Sequence, residues 1–255
     1  MATSPQILVP DWPLPAGIHA AVTTRLGGCS LGEYASLNLA DHVGDDPAAV
    51  MANRAELRQV LALPGEPEWL RQVHGTEICR ASGRRPTPAG LPPPEADGAV
   101  TMQAGRVLAV LTADCLPVLA CSRDGSVLGA FHAGWRGLLG GILEAGIWAM
   151  EVEPEEILVY LGPAIGQERF EVGEEVRSAF VADDPKSAHA FRQGDGDRFH
   201  ADLYALARHR LRRLGVVRCS GGGFCTATDR ERFFSYRRDG RTGRMATLIW
   251  RECAE

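Results

Sequence analysis

The chain has 255 residues, 45% of them hydrophobic, with a formal charge of −5 and a pI near 5.8. That is enough apolar material for a sizeable core in one large domain or two small ones. The acidic balance argues against a general nucleic-acid binder, which needs a basic face to displace counterions. No apolar run approaches the roughly 20 residues of a membrane span.

Met1 to Asp11 has no basic region followed by an apolar stretch, so no signal peptide is expected. Seven cysteines, an odd count at irregular spacing and without a CxxC pair, read as reduced thiols in a cytoplasmic protein rather than a disulfide framework or zinc ribbon. Pro47 to Leu61 is expected to be a helix. Ser82 to Pro94 carries five prolines and little apolar content. Proline fixes φ and removes a ladder donor, so this stretch reads as a surface loop within one domain spanning residues 1–255.

Strand signals follow. Val107 to Thr112 is a compact β-compatible run. Pro117 to Cys121 and Val127 to Phe131 flank Arg123-Asp124-Gly125, the pattern of a hairpin. Leu138 to Met150 reads as a helix and Ile157 to Leu161 as a strand. Leu203, Leu206, Ala207, Leu211 and Leu214 recur at helical spacing, with His200 or Asp202 near the start. Arg208, Arg210, Arg212 and Arg213 are read as its solvated face. Gly221-Gly222-Gly223 is a turn or a close backbone approach, and Ala246 to Trp250 is a further strand. Without regular βαβ alternation, the order of elements predicts an α+β fold of packed mixed sheets flanked by helices.

Three segments carry the residue types of a reactive centre: Gln72-Val73-His74-Gly75, Thr112-Ala113-Asp114-Cys115-Leu116-Pro117 and Phe131-His132-Ala133-Gly134-Trp135-Arg136-Gly137. A hairpin brings its open ends together, so Cys115 and His132 can converge. Two imidazoles and a thiolate form a three-ligand zinc set with an open fourth position. Zinc held this way lowers the pKa of its water to about 7. Asp114 is placed in sequence to support the ligands or, equally, to point away from them, and it is a candidate acid for a leaving group. Spacing alone does not decide between this and a packed thiol beside a surface histidine, the reading given to the thiols Cys79, Cys121 and Cys219.

Arg25, Asn38, Arg54, Arg136, Arg237 and Arg238 lie near glycines or helix starts and are candidates for holding an anion. Taken singly, each arginine reads more readily as a solvated surface residue. The phosphate-loop patterns GxxxxGK[ST] and GxGxxG after a strand are missing.

Taken together, ordered segments along nearly the whole chain resemble the YfiH family, also called laccase-domain or polyphenol oxidase-like proteins. They run from Thr23-Thr24-Arg25-Leu26-Gly27-Gly28-Cys29-Ser30 through Ser36-Leu37-Asn38-Leu39, His42-Val43-Gly44-Asp45 and Asn53-Arg54. Ala96-Asp97-Gly98, Gly162-Pro163-Ala164-Ile165-Gly166, Glu171-Val172-Gly173 and Cys225-Thr226 join the three segments above. Phe233-Phe234-Ser235-Tyr236-Arg237-Arg238 and Thr242-Gly243-Arg244 complete the pattern.

The resemblance implies a zinc site of His74, Cys115 and His132, and Arg54 as a phosphate residue. It implies purine nucleosides and inorganic phosphate as partners, through phosphorolysis of adenosine, inosine, guanosine and methylthioadenosine, with adenosine deamination as a second activity. The chain lacks the HxE…PCxxC pattern of other zinc deaminases. The implied fold is similar to that of a Cys-His toxin deamidase. That keeps open a cysteine hydrolase acting on an amide, in peptidoglycan editing, with Cys115 as nucleophile. Laccase chemistry needs a copper cluster with many histidines in HxH pairs; seven histidines and no HxH exclude it.

Overall fold

The computed structural model describes residues 4–81 and 92–253; most of the proline-rich stretch, residues 82–91, lies outside them. In chain order the strands are β1 Ile7–Leu8, β2 Ile18–Thr23, β3 Pro67–Glu68, β4 Ile78–Arg80, β5 Gly98–Thr101, β6 Val107–Thr112 and β7 Leu116–Ser122. They continue as β8 Leu128–Ala133, β9 Ile157–Leu161, β10 Glu171–Gly173, β11 Phe191–Gln193, β12 Arg198–Ala201, β13 Arg218–Gly221 and β14 Met245–Arg251. The helices are α1 Pro47–Val60, α2 Trp135–Gly140, α3 Ile142–Ala149, α4 Glu174–Asp183, α5 Leu203–Arg213 and α6 Tyr236–Asp239.

Two mixed sheets dominate, with strand orders β1-β2-β14-β6-β3 and β13-β9-β7-β8-β5-β4; β10, β12 and β11 form a small third sheet. Successive side chains of a strand point to opposite faces, and here both faces are covered. Leu108 and Val110 of β6 pack with Leu119, Leu128 and Leu158 of the second sheet. Their neighbours Val107, Ala109 and Leu111 face the layer holding Leu37, Leu39 and Leu57. The second sheet turns Val118, Ala120 and Phe131 toward Leu143, Phe180 and Leu206 on α3, α4 and α5. The result is a helix–sheet–sheet–helix stack, the expected α+β fold. Burial on both faces explains why β6 reads as an unbroken apolar run rather than as alternation.

Phe131 shows how closely this layer is fitted. A Cβ on Gly146 would stand 2.6 Å from its ring, and one on Gly98 2.8 Å from it. The glycines let α3 and β5 close on the ring at interior packing density.

The hairpin is β7–β8, antiparallel, with Pro117 opposite His132. The expected helix 138–150 starts earlier, at Trp135, and is divided by Gly141, whose φ of +100° ends one helix and begins the next. Asp202, rather than His200, caps α5 by accepting from Ala205 N at 2.9 Å. Arg210 departs from the expected solvated face. It is buried, donating to Glu144 at 2.6 Å, Asp183 at 2.7 Å and the Leu139 carbonyl at 3.0 Å. Arg208 also folds back, onto the carbonyls of Cys219 and Gly221. Cys121 is fully buried, whereas Cys79 and Cys219 are half-buried. At Gly221 a Cβ would meet the Leu161 carbonyl at 2.4 Å, so that glycine serves a close backbone approach.

Candidate metal centre and its cavity

The hairpin does what its sequence predicts. Cys115 stands just before β7, and His132 lies near the end of β8. His74 comes from the turn before β4, the strand at the far edge of the same sheet. The ligand atoms of these three side chains all lie within 4.8 Å of one another. Cys115 Sγ is 3.7 Å from His74 Nε2. Tetrahedral zinc at ordinary Zn–N and Zn–S lengths separates such ligand atoms by about 3.3 to 3.6 Å, close to the Cys115–His74 spacing, and the three donors could hold a single ion. His132 is buried, Cys115 half-buried and His74 exposed, which leaves one side open.

The surroundings are shaped to the three ligands. A Cβ on Gly134 would stand 2.8 Å from His74 Cδ2 and 3.0 Å from Cys115 Sγ. Gly134 is also the N-cap of α2, with extended backbone. His74 itself has φ +62°, a left-handed conformation that costs a non-glycine residue energy. That cost is offset at one carboxylate: Asp97 accepts from the backbone N–H of Val73 at 3.0 Å, His74 at 2.9 Å and Gly75 at 2.7 Å. The same carboxylate takes His132 Nδ1 at 2.8 Å.

Charge is shared across the cluster. Burial alone would raise the Cys115 thiol, but the charge and hydrogen bond of His132 and the bond to His74 outweigh it and bring it down to about 6. Burial would likewise lower His132, yet Cys115 and Asp97 lift it to about 9. For Asp97, burial opposes ionisation, but its bonds to His132, Gly75 and Val73 win and hold it below the usual carboxylate range. These shifts favour a thiolate at Cys115 and a proton on His132, backed by the Asp97 carboxylate.

Asp114 has a different task from the one its position beside Cys115 implies. Its buried carboxylate accepts from Thr226 Oγ1 at 2.6 Å, Ser235 Oγ at 3.0 Å and the backbone N–H of Arg237 at 2.6 Å. It anchors the segment that carries Arg237 and α6 to the turn that carries Cys115, and these bonds stabilise its own φ of +93°.

The three ligands open into a cavity of about 370 Å³. Leu111, Trp135, Ile165, Phe170 and Tyr236 give it apolar wall, and Arg136, Arg237 and Arg244 line it with guanidinium groups. Arg237 is steadied by the Glu171 carbonyl at 2.9 Å and lies over the Phe170 ring, while Arg136 lies over Trp135. Gln72 completes the wall, its side-chain amide pairing with both the N–H and the carbonyl of Leu111 at 2.8 Å.

Of the candidate anion residues, the structure brings Arg136 and Arg237 to the cavity and leaves Arg25, Asn38, Arg54 and Arg238 out of its lining. Arg54 donates to the Leu39 carbonyl at 2.9 Å and lies over Trp69. Arg25 donates twice to the Ala35 carbonyl, and Arg238 to the carbonyls of Thr226 and Phe233. Asn38 is fully buried, accepting from Ala40 N and Arg244 N, so it positions the Arg244 segment from behind. Asp97, Arg244 and Tyr236 were given no role by sequence reasoning; the Ala96-Asp97-Gly98 and Thr242-Gly243-Arg244 segments were the available signals.

Among the described residues, one group of three or more ligand side chains meets at metal-binding distance. This is far short of a multicopper cluster. The fold and site together define an α+β protein with an open His–Cys–His centre in an arginine-lined cavity. The family model described as "Multi-copper polyphenol oxidoreductase laccase" matches residues 19–252. An Escherichia coli protein named purine nucleoside phosphorylase YfiH is 49% identical over 96% of this chain and 98% of its own. A purine nucleoside phosphorylase of Pseudomonas aeruginosa is 49% identical over 95% and 97%. Among solved structures, a Neisseria meningitidis protein superposes with TM-score 0.91 at 49% identity, covering 97% of this chain and 99% of its own. YlmD from Geobacillus stearothermophilus gives TM-score 0.87 at 35% identity, covering 93% of each chain. The chain belongs to this laccase-like YfiH family.

Proposed function

We propose that this protein is a zinc-dependent purine nucleoside phosphorylase, with His74, Cys115 and His132 as the metal ligands and adenosine deamination as a second activity. The observation that carries the reading is that one cavity is lined both by the complete ligand set and by Arg136, Arg237 and Arg244. The names of the relatives above support the phosphorylase part of this reading.

The arginines supply positive charge to hold phosphate. Guanidinium groups bind phosphate oxygens bidentately, and held at the cavity wall they would present it to C1′ of the ribose. The C1′–O bond forms as the C1′–N9 bond breaks with its electron pair going to N9, and the proton of hydrogen phosphate ends on the base, giving ribose 1-phosphate and the free purine. Positioning and charge neutralisation account for most of the rate gain in such a transfer. Tyr236, Trp135 and Phe170 offer aromatic surface for the base. His74, Cys115 and His132 would hold the zinc, which would supply a Lewis acid to the cavity. Asp114 acts by holding Arg237 and α6 in place. A cytoplasmic location suits the seven unpaired thiols.

Incubating the protein with inosine and phosphate should yield hypoxanthine and ribose 1-phosphate. No product from inosine, adenosine, guanosine or methylthioadenosine, with metal bound, would refute the assignment.

A cysteine hydrolase is the second reading, favoured by one observation: Cys115, His132 and Asp97 form a thiol–imidazole–carboxylate series. An activity toward amides that persists in metal-free protein and vanishes on alkylation of Cys115 would favour it over the metalloenzyme.

A further inference from the structure

We propose that Asp97 is a positioning residue that fixes both imidazole ligands of the centre at once, His132 through its ring and His74 through its backbone. The inference rests on the reading of His74, Cys115 and His132 as metal ligands.

Asp97 sits where the two histidine segments are nearest. It immediately precedes β5, the strand between β4 and β8. Its N–H donates to the Glu77 carbonyl at 3.0 Å on one side, and its carbonyl accepts from His132 N at 2.7 Å on the other. The side chain then repeats this bridge. Oδ1 takes His74 N and His132 Nδ1, while Oδ2 takes Val73 N and Gly75 N.

A carboxylate offers about four lone-pair positions, and here four donors fill them in a fully buried location. An ionised acceptor at His132 Nδ1 selects the tautomer that carries its proton there. That leaves Nε2 with a lone pair for the metal. The three consecutive N–H groups of residues 73–75 hold the left-handed His74 backbone, and with it the direction of that imidazole. An amide in place of the carboxylate would present N–H to some of these four donors, so no Asn rotamer satisfies them all.

The test is metal affinity in Asp97→Asn, measured by titrating zinc into metal-free protein in competition with a chromophoric chelator. Cobalt loading gives a second readout from the thiolate charge-transfer and d–d bands. Loss of such a supporting carboxylate weakens metal binding about 10- to 100-fold, and the cobalt bands should shift. Arg210→Met, which disturbs a buried ion pair away from the centre, should keep wild-type affinity and separate positioning from general destabilisation. An Asp97→Asn variant that binds within twofold of wild type with an unchanged cobalt spectrum overturns the proposal while leaving the metal reading intact. Wild-type protein that binds no zinc ends both. If Asp97→Asn does not fold, ¹⁵N-histidine NMR of the zinc-loaded wild type decides. A protonated Nδ1 on His132 supports the proposal, and a protonated Nε2 overturns it.

Discussion

Cys115 Sγ lies 3.7 Å from His74 Nε2, although the two residues are 41 positions apart. No local turn explains that approach. It follows from the segment before β4, which is tied across the strand ends by Gln72 to Leu111 and by the N–H groups of residues 73–75 to Asp97, and from Gly134, whose missing side chain leaves the space between them.

Gly134→Ala should therefore damage the centre without unfolding the protein. Its Cβ would press on both His74 and Cys115. Overpacking of this kind costs about 1–3 kcal/mol, which corresponds to roughly a 5- to 150-fold loss of metal affinity. Chelator competition on the variant checks this, with circular dichroism to confirm the fold.

Thiol chemistry should single out Cys115. In metal-free protein it titrates at about 6, whereas burial pushes Cys121 up to about 12. The thiolate is the reactive form, so alkylation of Cys115 should rise as pH passes through about 6 and be well advanced at pH 7. Cys121 should stay unmodified. Zinc should protect Cys115. Peptide mass mapping after iodoacetamide treatment across pH reads all three outcomes.

Arg237→Met and Arg244→Met should raise the KM for phosphate with a smaller effect on the KM for nucleoside. Hydrogen bonds to charged groups contribute about 1.5–3 kcal/mol, so each loss should appear as roughly a 10- to 100-fold change. Arg54→Met, which removes a guanidinium outside the cavity, should leave the phosphate KM near wild type. Initial rates over a matrix of both substrates separate these effects.

Arg210→Met should lower stability rather than activity. The buried guanidinium joins α5 to Glu144 on α3 and Asp183 on α4, and its loss leaves Glu144 without its cation and Asp183 with only Arg213, at 3.8 Å. Removing one partner of a buried pair costs about 3–5 kcal/mol; Asp183 is half-exposed, which reduces this to about 2–3. A thermal melt should shift down by about 5–10 °C, with catalytic constants unchanged.

Much of this was legible in the chain. The apolar runs Pro117 to Cys121 and Val127 to Phe131, with the Asp124-Gly125 turn between them, gave the hairpin, and the hairpin gave the meeting of Cys115 and His132. His74 needed the family resemblance, because its approach depends on sheet order, which local pattern does not encode. Asp97 was hidden for the same reason: one carboxylate serving two distant histidines leaves no spacing signal. Arg210 was misread because a helical period places it beside exposed arginines, while its partners lie on α3 and α4. The α4 helix went unread; its polar Glu174-Glu175 start and short buried stripe of Val176 and Phe180 give a weak period.

The centre itself is tested most directly by the metal content of the purified protein, measured by inductively coupled plasma mass spectrometry. One zinc per chain in the wild type, and none in a folded Cys115→Ser variant, is the predicted result. A folded wild type without metal, or a Cys115→Ser variant that keeps its full zinc complement, would contradict it.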